Sequence, residues 1–102
     1  MVKHIVFFRF PGNKKKDIIL KDFKRKIEDL KDKIPEIHHI EAGINFSDRE
    51  TAYDIALISE FKTEKDLETY RTHPDHLALI DFLNQYEREL AVVDYIYQSH
   101  NL

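Results

Sequence analysis

The amino-acid sequence predicts an α+β fold. Three observations lead there. Segments dense in β-branched and aromatic residues are separated by two stretches whose apolar residues recur at helical spacing. Their order is strand, helix, strand, strand, helix, strand. Strands one, three and four are also apolar on both faces, as in a sheet covered from both sides. The 102 residues contain only two glycines and three prolines and show no linker composition, so residues 1–102 are read as a single domain.

Each element follows from local pattern. Residues 3–10 form the first strand and end at the turn signal Pro11-Gly12. Alternation puts His4, Val6, Phe8 and Phe10 on one face, and Lys3, Ile5, Phe7 and Arg9 on the other. From about residue 15 to 33 the period changes. Leu20, Phe23, Ile27, Leu30 and Ile34 are spaced three or four apart, with Ile19 supporting the first turn, and Pro35 stops the helix.

A second strand is expected over residues 37–46 and a third over 53–61, joined by the polar loop Ser47-Asp48-Arg49-Glu50. Thr63 and Asp66 have the spacing of a helix-starting capping box. The second helix carries Leu67 and Tyr70 and is broken at His73-Pro74, where Pro74 opens a new helical piece. Leu77, Ile80, Leu83 and Tyr86 are expected on its apolar face, widened by Leu79 and Phe82. Residues 90–97 are the last strand, with Leu90, Val92, Asp94 and Ile96 on one face. The order βαββαβ is that of a ferredoxin-like fold with a four-stranded antiparallel sheet.

Two helices cover one face of such a sheet. The other face would expose Ile5, Phe7, Ala56, Ile58, Val93, Tyr95 and Tyr97, a larger apolar patch than monomers show to water. The expected partner is a second copy of the chain, packed sheet on sheet about a two-fold axis and burying about 1,600 Å² or more.

Composition excludes several function classes. There is no cysteine, hence no disulfide or thiolate metal site. The longest apolar runs are four residues, too short for a membrane span, and the first residues enter a strand pattern without a secretory leader, so a cytoplasmic location is expected. Residues 1–33 hold eleven Lys or Arg against five Asp or Glu. Acids interleave with these bases, so they read as a solvated helix face and not as a nucleic-acid patch.

Six histidines raise the question of a metal, but His38 and His39 point to opposite strand faces and His100 lies in the tail. A more informative grouping is Tyr70, His73 and His76 with His4 and Asp94. His4 and Asp94 fall on strand faces that open into an apolar cavity if the helices cover them. His76 is a candidate partner for Asp94, leaving its second ring nitrogen for acid–base work, and Tyr70 is placed to donate to a developing oxyanion. In the alternative, Asp94 and a histidine satisfy one another, His73 caps the second helical piece and Tyr70 fills the core.

Residues 2–10, residues 53–61 and above all Leu67 to His76, with the motif Tyr70-x-x-His73-Pro74-x-His76 and the later Asp94-Tyr95, resemble the stress-responsive A/B barrel (Dabb) family along nearly the whole chain. The resemblance implies a ferredoxin-like protomer, a dimeric α/β barrel and a cavity between sheet and helices. By likeness to the family's polyketide-cyclase branch, Tyr70 and His76 would be the acid–base pair, supported by His4 and Asp94.

The cavity wall is expected to include Val6, Phe8, Phe23, Leu57, His73 and Leu79, with bulky Leu79 and Ile80 keeping it small. The family likeness also implies a possible Mg²⁺ or similar cation on the main-chain carbonyls of Lys31, Ile34 and Ile37, and no organic cofactor. The expected function is binding of a small apolar or phenolic ligand. The alternatives are a cofactor-independent cyclase or lyase, a monooxygenase by fold analogy, and a stabilising dimer without catalysis.

Overall fold

A computed structural model describes residues 1–98, and His100 lies outside the described residues. The elements are β1 (Val2–Arg9), α1 (Lys16–Lys33), β2 (His39–Ile44), β3 (Ile55–Phe61), α2 (Glu64–Thr72), α3 (Pro74–Leu83) and β4 (Glu89–Ile96). The sheet order is β2-β3-β1-β4 with every neighbouring pair antiparallel, the ferredoxin-like topology expected from the sequence. Gly12 turns the chain out of β1 at φ +70°, a conformation open to glycine.

The helices lie on the sheet face that carries Val6, Phe8, Leu57 and Phe61, all buried. The α1 stripe of Leu20, Phe23, Ile27 and Leu30 packs against that face, with the Phe23 ring edge-on to Phe8 and Phe10 at 5.0 and 6.0 Å. Helix α1 ends at Lys33, and the capping residue Ile34 has extended backbone before Pro35.

The expected helix break is present. His73 has extended backbone (φ −64°, ψ 138°), so α2 and α3 are separate helices. Thr63 caps α2 by accepting the Asp66 amide at 3.1 Å. Thr63→Ala is therefore expected to cost about 1 kcal/mol of stability, read by urea denaturation.

Three expectations need correction. Strand β2 ends at Ile44, before residues 45 and 46, and the Phe46 side chain is fully exposed in the hairpin. On α3 the buried stripe is Leu79 and Leu83, while Leu77 points to solvent and Tyr86 lies beyond the helix. The break at His73 restarts the helix with a phase set by its packing on α1 and α2, which spacing in the sequence does not reveal. Strand β4 is exposed along its whole length on both faces, because it is an edge strand and, unlike the other edge β2, it is not covered by a helix.

The outer sheet face is apolar at its centre and bare in the protomer. Phe7, Val93 and Tyr95 are 43, 59 and 42% exposed there. Lys3, Glu60 and Tyr97 close one end. The Tyr97 hydroxyl donates to Glu60 and Lys3 lies over the Tyr97 ring. That hydrogen bond holds the Glu60 carboxyl below its usual range and pushes the Tyr97 phenol up to about 12.

Candidate functional site

The β1–β4 register places His4 directly across from Asp94, on the helix-facing side of the sheet. Asp94 Oδ1 is hydrogen-bonded to His4 Nδ1. An ionised carboxylate only accepts, so this bond fixes the proton of a neutral His4 on Nδ1 and leaves Nε2 toward the interior. Asp94 is thus the partner of His4, and the expected pairing of Asp94 with His76 does not form. His76 bonds instead to the Arg71 carbonyl through Nδ1, at 2.9 Å. A carbonyl accepts, so Nδ1 of His76 carries its proton and Nε2 is the unprotonated nitrogen of the neutral ring.

Tyr70 joins the two histidines. Its ring packs 4.4 Å from that of His76, 5.0 Å from that of Phe61 and 6.1 Å edge-on to His4. The side chain is buried, yet among the described residues its hydroxyl has no hydrogen-bond partner. Burial pushes the Tyr70 phenol far above its ordinary pKa, so it is a donor throughout the physiological range.

Burial also lowers the His76 pKa, against the raising effect of the Arg71 carbonyl. The sign of the linkage follows. Between its ordinary value of about 6.5 and its lower folded value, the unfolded chain binds more protons at this residue, so stability falls as pH drops through that window. His76→Gln is expected to remove this component, seen as a shallower loss of melting temperature between pH 7 and pH 5.

These residues stand at one end of a cavity of about 310 Å³ between β1, β4, α2 and α3. Val6, Phe8, Phe23, Leu57 and Leu79 line it, as do Arg71, Ile80, Leu83, Arg88, Leu90 and Val92. His73 does not. It caps α3, its Nδ1 accepting the Asp75 amide at 3.1 Å, which turns the ring to the helix terminus and away from the cavity. Sequence reasoning missed Arg71 and Arg88. Arg88 lies between Glu87 and Glu89 in a short connection where no pattern distinguishes a pocket residue from surface.

The carbonyls named for a cation have partners within the protomer. Ile34 O accepts the Ile37 amide at 3.2 Å, and Ile37 O accepts the Lys31 ammonium at 2.8 Å. The same surface recess holds the Lys31 side chain and Glu36, whose Oε2 is buried without a partner among the described residues. Among the described residues, no three His, Asp or Glu side chains form a metal-binding group, and no helix is long and apolar enough to cross a membrane.

The geometry can be set beside known proteins. The family model of the stress responsive A/B barrel domain matches residues 2–97. A dimeric protein of unknown function and ferredoxin-like fold from Bacteroides fragilis is 37% identical, with 94% of this chain and 95% of that one covered and a TM-score of 0.86. A dimeric ferredoxin-like protein of unknown function from Thermobifida fusca is 22% identical over 94% of this chain and 90% of that one, with a TM-score of 0.81. The hydroxynitrile lyase of Passiflora edulis is 23% identical over 99% of this chain and 96% of its own, with a TM-score of 0.76. The comparison with curated proteins gives no match. The family match along nearly the whole chain and the split βαββαβ sheet agree, and the chain belongs to the stress responsive A/B barrel (Dabb) family.

Proposed function

We propose that the protein is a homodimer, joined through the outer sheet face, that binds a small aromatic or phenolic carbonyl compound in the cavity and removes a proton beside its carbonyl group. This is the chemistry of a cofactor-independent lyase or cyclase. The carrying observation is the hydrogen bond from His76 to the Arg71 carbonyl. It holds the ring in the tautomer that leaves Nε2 as a base, and burial keeps that base neutral at physiological pH. In this reading Tyr70 donates its unpartnered hydroxyl to the carbonyl oxygen as it gains charge. The His4–Asp94 pair packs behind Tyr70 and orients it.

Dimeric relatives of the same fold support the assembly, and the lyase among the structural neighbours is compatible with the chemistry. The test uses 4-hydroxyacetophenone in D₂O. The wild-type protein is expected to exchange the acetyl protons for deuterium faster than buffer, and His76→Gln is expected not to. Exchange at the buffer rate with both proteins defeats the catalytic part.

A second reading, binding without turnover, is favoured by the open side of the cavity. Leu90 and Val92 are 52 and 47% exposed, so this wall admits water. In that case ligand titration gives saturable shifts in the NMR spectrum without any exchange.

A further inference from the structure

We propose that the ligand of this pocket is an anion, with a carboxylate at one end, an apolar body in the middle and its carbonyl group at the other end. The inference rests on the reading of the cavity as a ligand site given above, and it adds the chemistry that selects the ligand. The layout of the cavity carries it. Along β1, His4 pairs with Asp94, Val6 with Val92 and Phe8 with Leu90. Between the first and last of these pairs the strand advances about 13 Å, and the stretch between them is apolar. The Tyr70–His76 cluster stands at the His4 end. Arg88 stands just before β4, beyond Leu90, at the Phe8 end.

Arg88 is incompletely satisfied. A guanidinium has five N–H donors. Nη1 of Arg88 donates to the Leu83 carbonyl and Nη2 to Asn84 Oδ1, each at 3.0 Å, while its Nε is buried with no partner among the described residues. Its neighbour Glu89 does not neutralise it, because that carboxylate is taken by Arg9, whose Nε donates to it at 2.9 Å. Among the described residues Arg88 forms no ion pair.

The cavity lining contains no Asp or Glu, and its other arginine, Arg71, lies 3.4 Å from Glu68. Arg88 is thus the uncompensated positive charge of the cavity, with a buried donor that lacks an acceptor. Nη1 and Nη2 each keep a second N–H that the bonds to Leu83 and Asn84 do not use, and a carboxylate fits that planar fork. The bond to Leu83 O also closes the carboxyl end of α3, but that role uses one N–H of Nη1 and leaves the charge without an acidic partner among the described residues. A cavity of about 310 Å³ is at the small end for ligand sites, which suits one aromatic ring with two short substituents.

The experiment measures binding of 4-acetylbenzoate and its neutral isostere 4-acetylbenzamide by NMR titration to the full chain and to Arg88→Gln, Arg88→Lys and Arg71→Gln. The benzoate is expected to bind the wild-type protein about tenfold more tightly than the amide, the preference of a charge-assisted bidentate contact. Arg88→Gln should abolish this preference, Arg88→Lys retain part of it and Arg71→Gln leave it intact. The ratio of the two affinities is the readout, so a general loss of stability in Arg88→Gln, which weakens both ligands alike, does not imitate the result. Equal binding of the two compounds to wild type overturns the anion assignment and leaves the pocket reading standing. A preference that survives Arg88→Gln overturns the role of Arg88. If neither compound binds, the anion assignment and the pocket reading fall together.

Discussion

The double variant Phe7→Asp, Val93→Asp is expected to be monomeric at 100 μM, where the wild-type chain is expected to sediment as a dimer. Both side chains lie on the outer sheet face and are about half exposed in the protomer, so the substitutions leave the helix-side core untouched. In a two-fold assembly each appears twice, bringing four carboxylates into an apolar contact. Burying an unpaired carboxylate costs several kcal/mol, so the dissociation constant should rise by roughly 1,000-fold or more. Leu77→Asp is the control, since Leu77 is exposed on α3, on the other side of the sheet. It should leave the dimer intact. A double variant that remains dimeric would show that the chains associate through another surface, and circular dichroism distinguishes loss of assembly from loss of fold.

His76→Gln should lower the proton-exchange rate by about 10²- to 10⁴-fold, the range for loss of a positioned general base. Glutamine retains bulk and a donor for the Arg71 carbonyl, so the cavity should keep its shape and ligand affinity should change little. Tyr70→Phe removes only the hydroxyl and should cost about 10²- to 10³-fold if that group stabilises the developing oxyanion. The pH profile adds a sign. Burial moves His76 below its ordinary value, so the acid limb of the rate should lie below pH 6.5, rate being lost as the base protonates. An acid limb above that value, or an exchange rate unmoved by His76→Gln, would remove His76 from the base role.

Much of the fold is legible in the sequence because it rests on local pattern. Period two exposes the two-faced β1, and a three–four period locates α1 with its buried stripe. Thr63 and His73-Pro74 mark the start and the break of the second helical region through chemistry confined to a few neighbours. The site is legible as residue types but not as pairings. Which carboxylate meets which histidine depends on strand register, and Asp94 finds His4 because antiparallel pairing puts them opposite each other. Likewise the phase of α3 after its break, and hence burial of Leu79 in place of Leu77, follows from packing against two other helices. Arg88 was invisible for a related reason. Its meaning comes from a cavity lining that holds no acid to compensate it, a property of three-dimensional surroundings that spacing does not encode.

The bare edge strand also affects how the protein breathes. Amide protection follows burial and local packing, so in the protomer the outward-facing amides of β4 should exchange first with deuterated water while β1 and β3 hold theirs to the limit of global unfolding. The His4–Asp94 contact therefore bridges a rigid strand and a yielding one. Fraying of β4 would open the cavity from its side and release the histidine from its carboxylate in one motion.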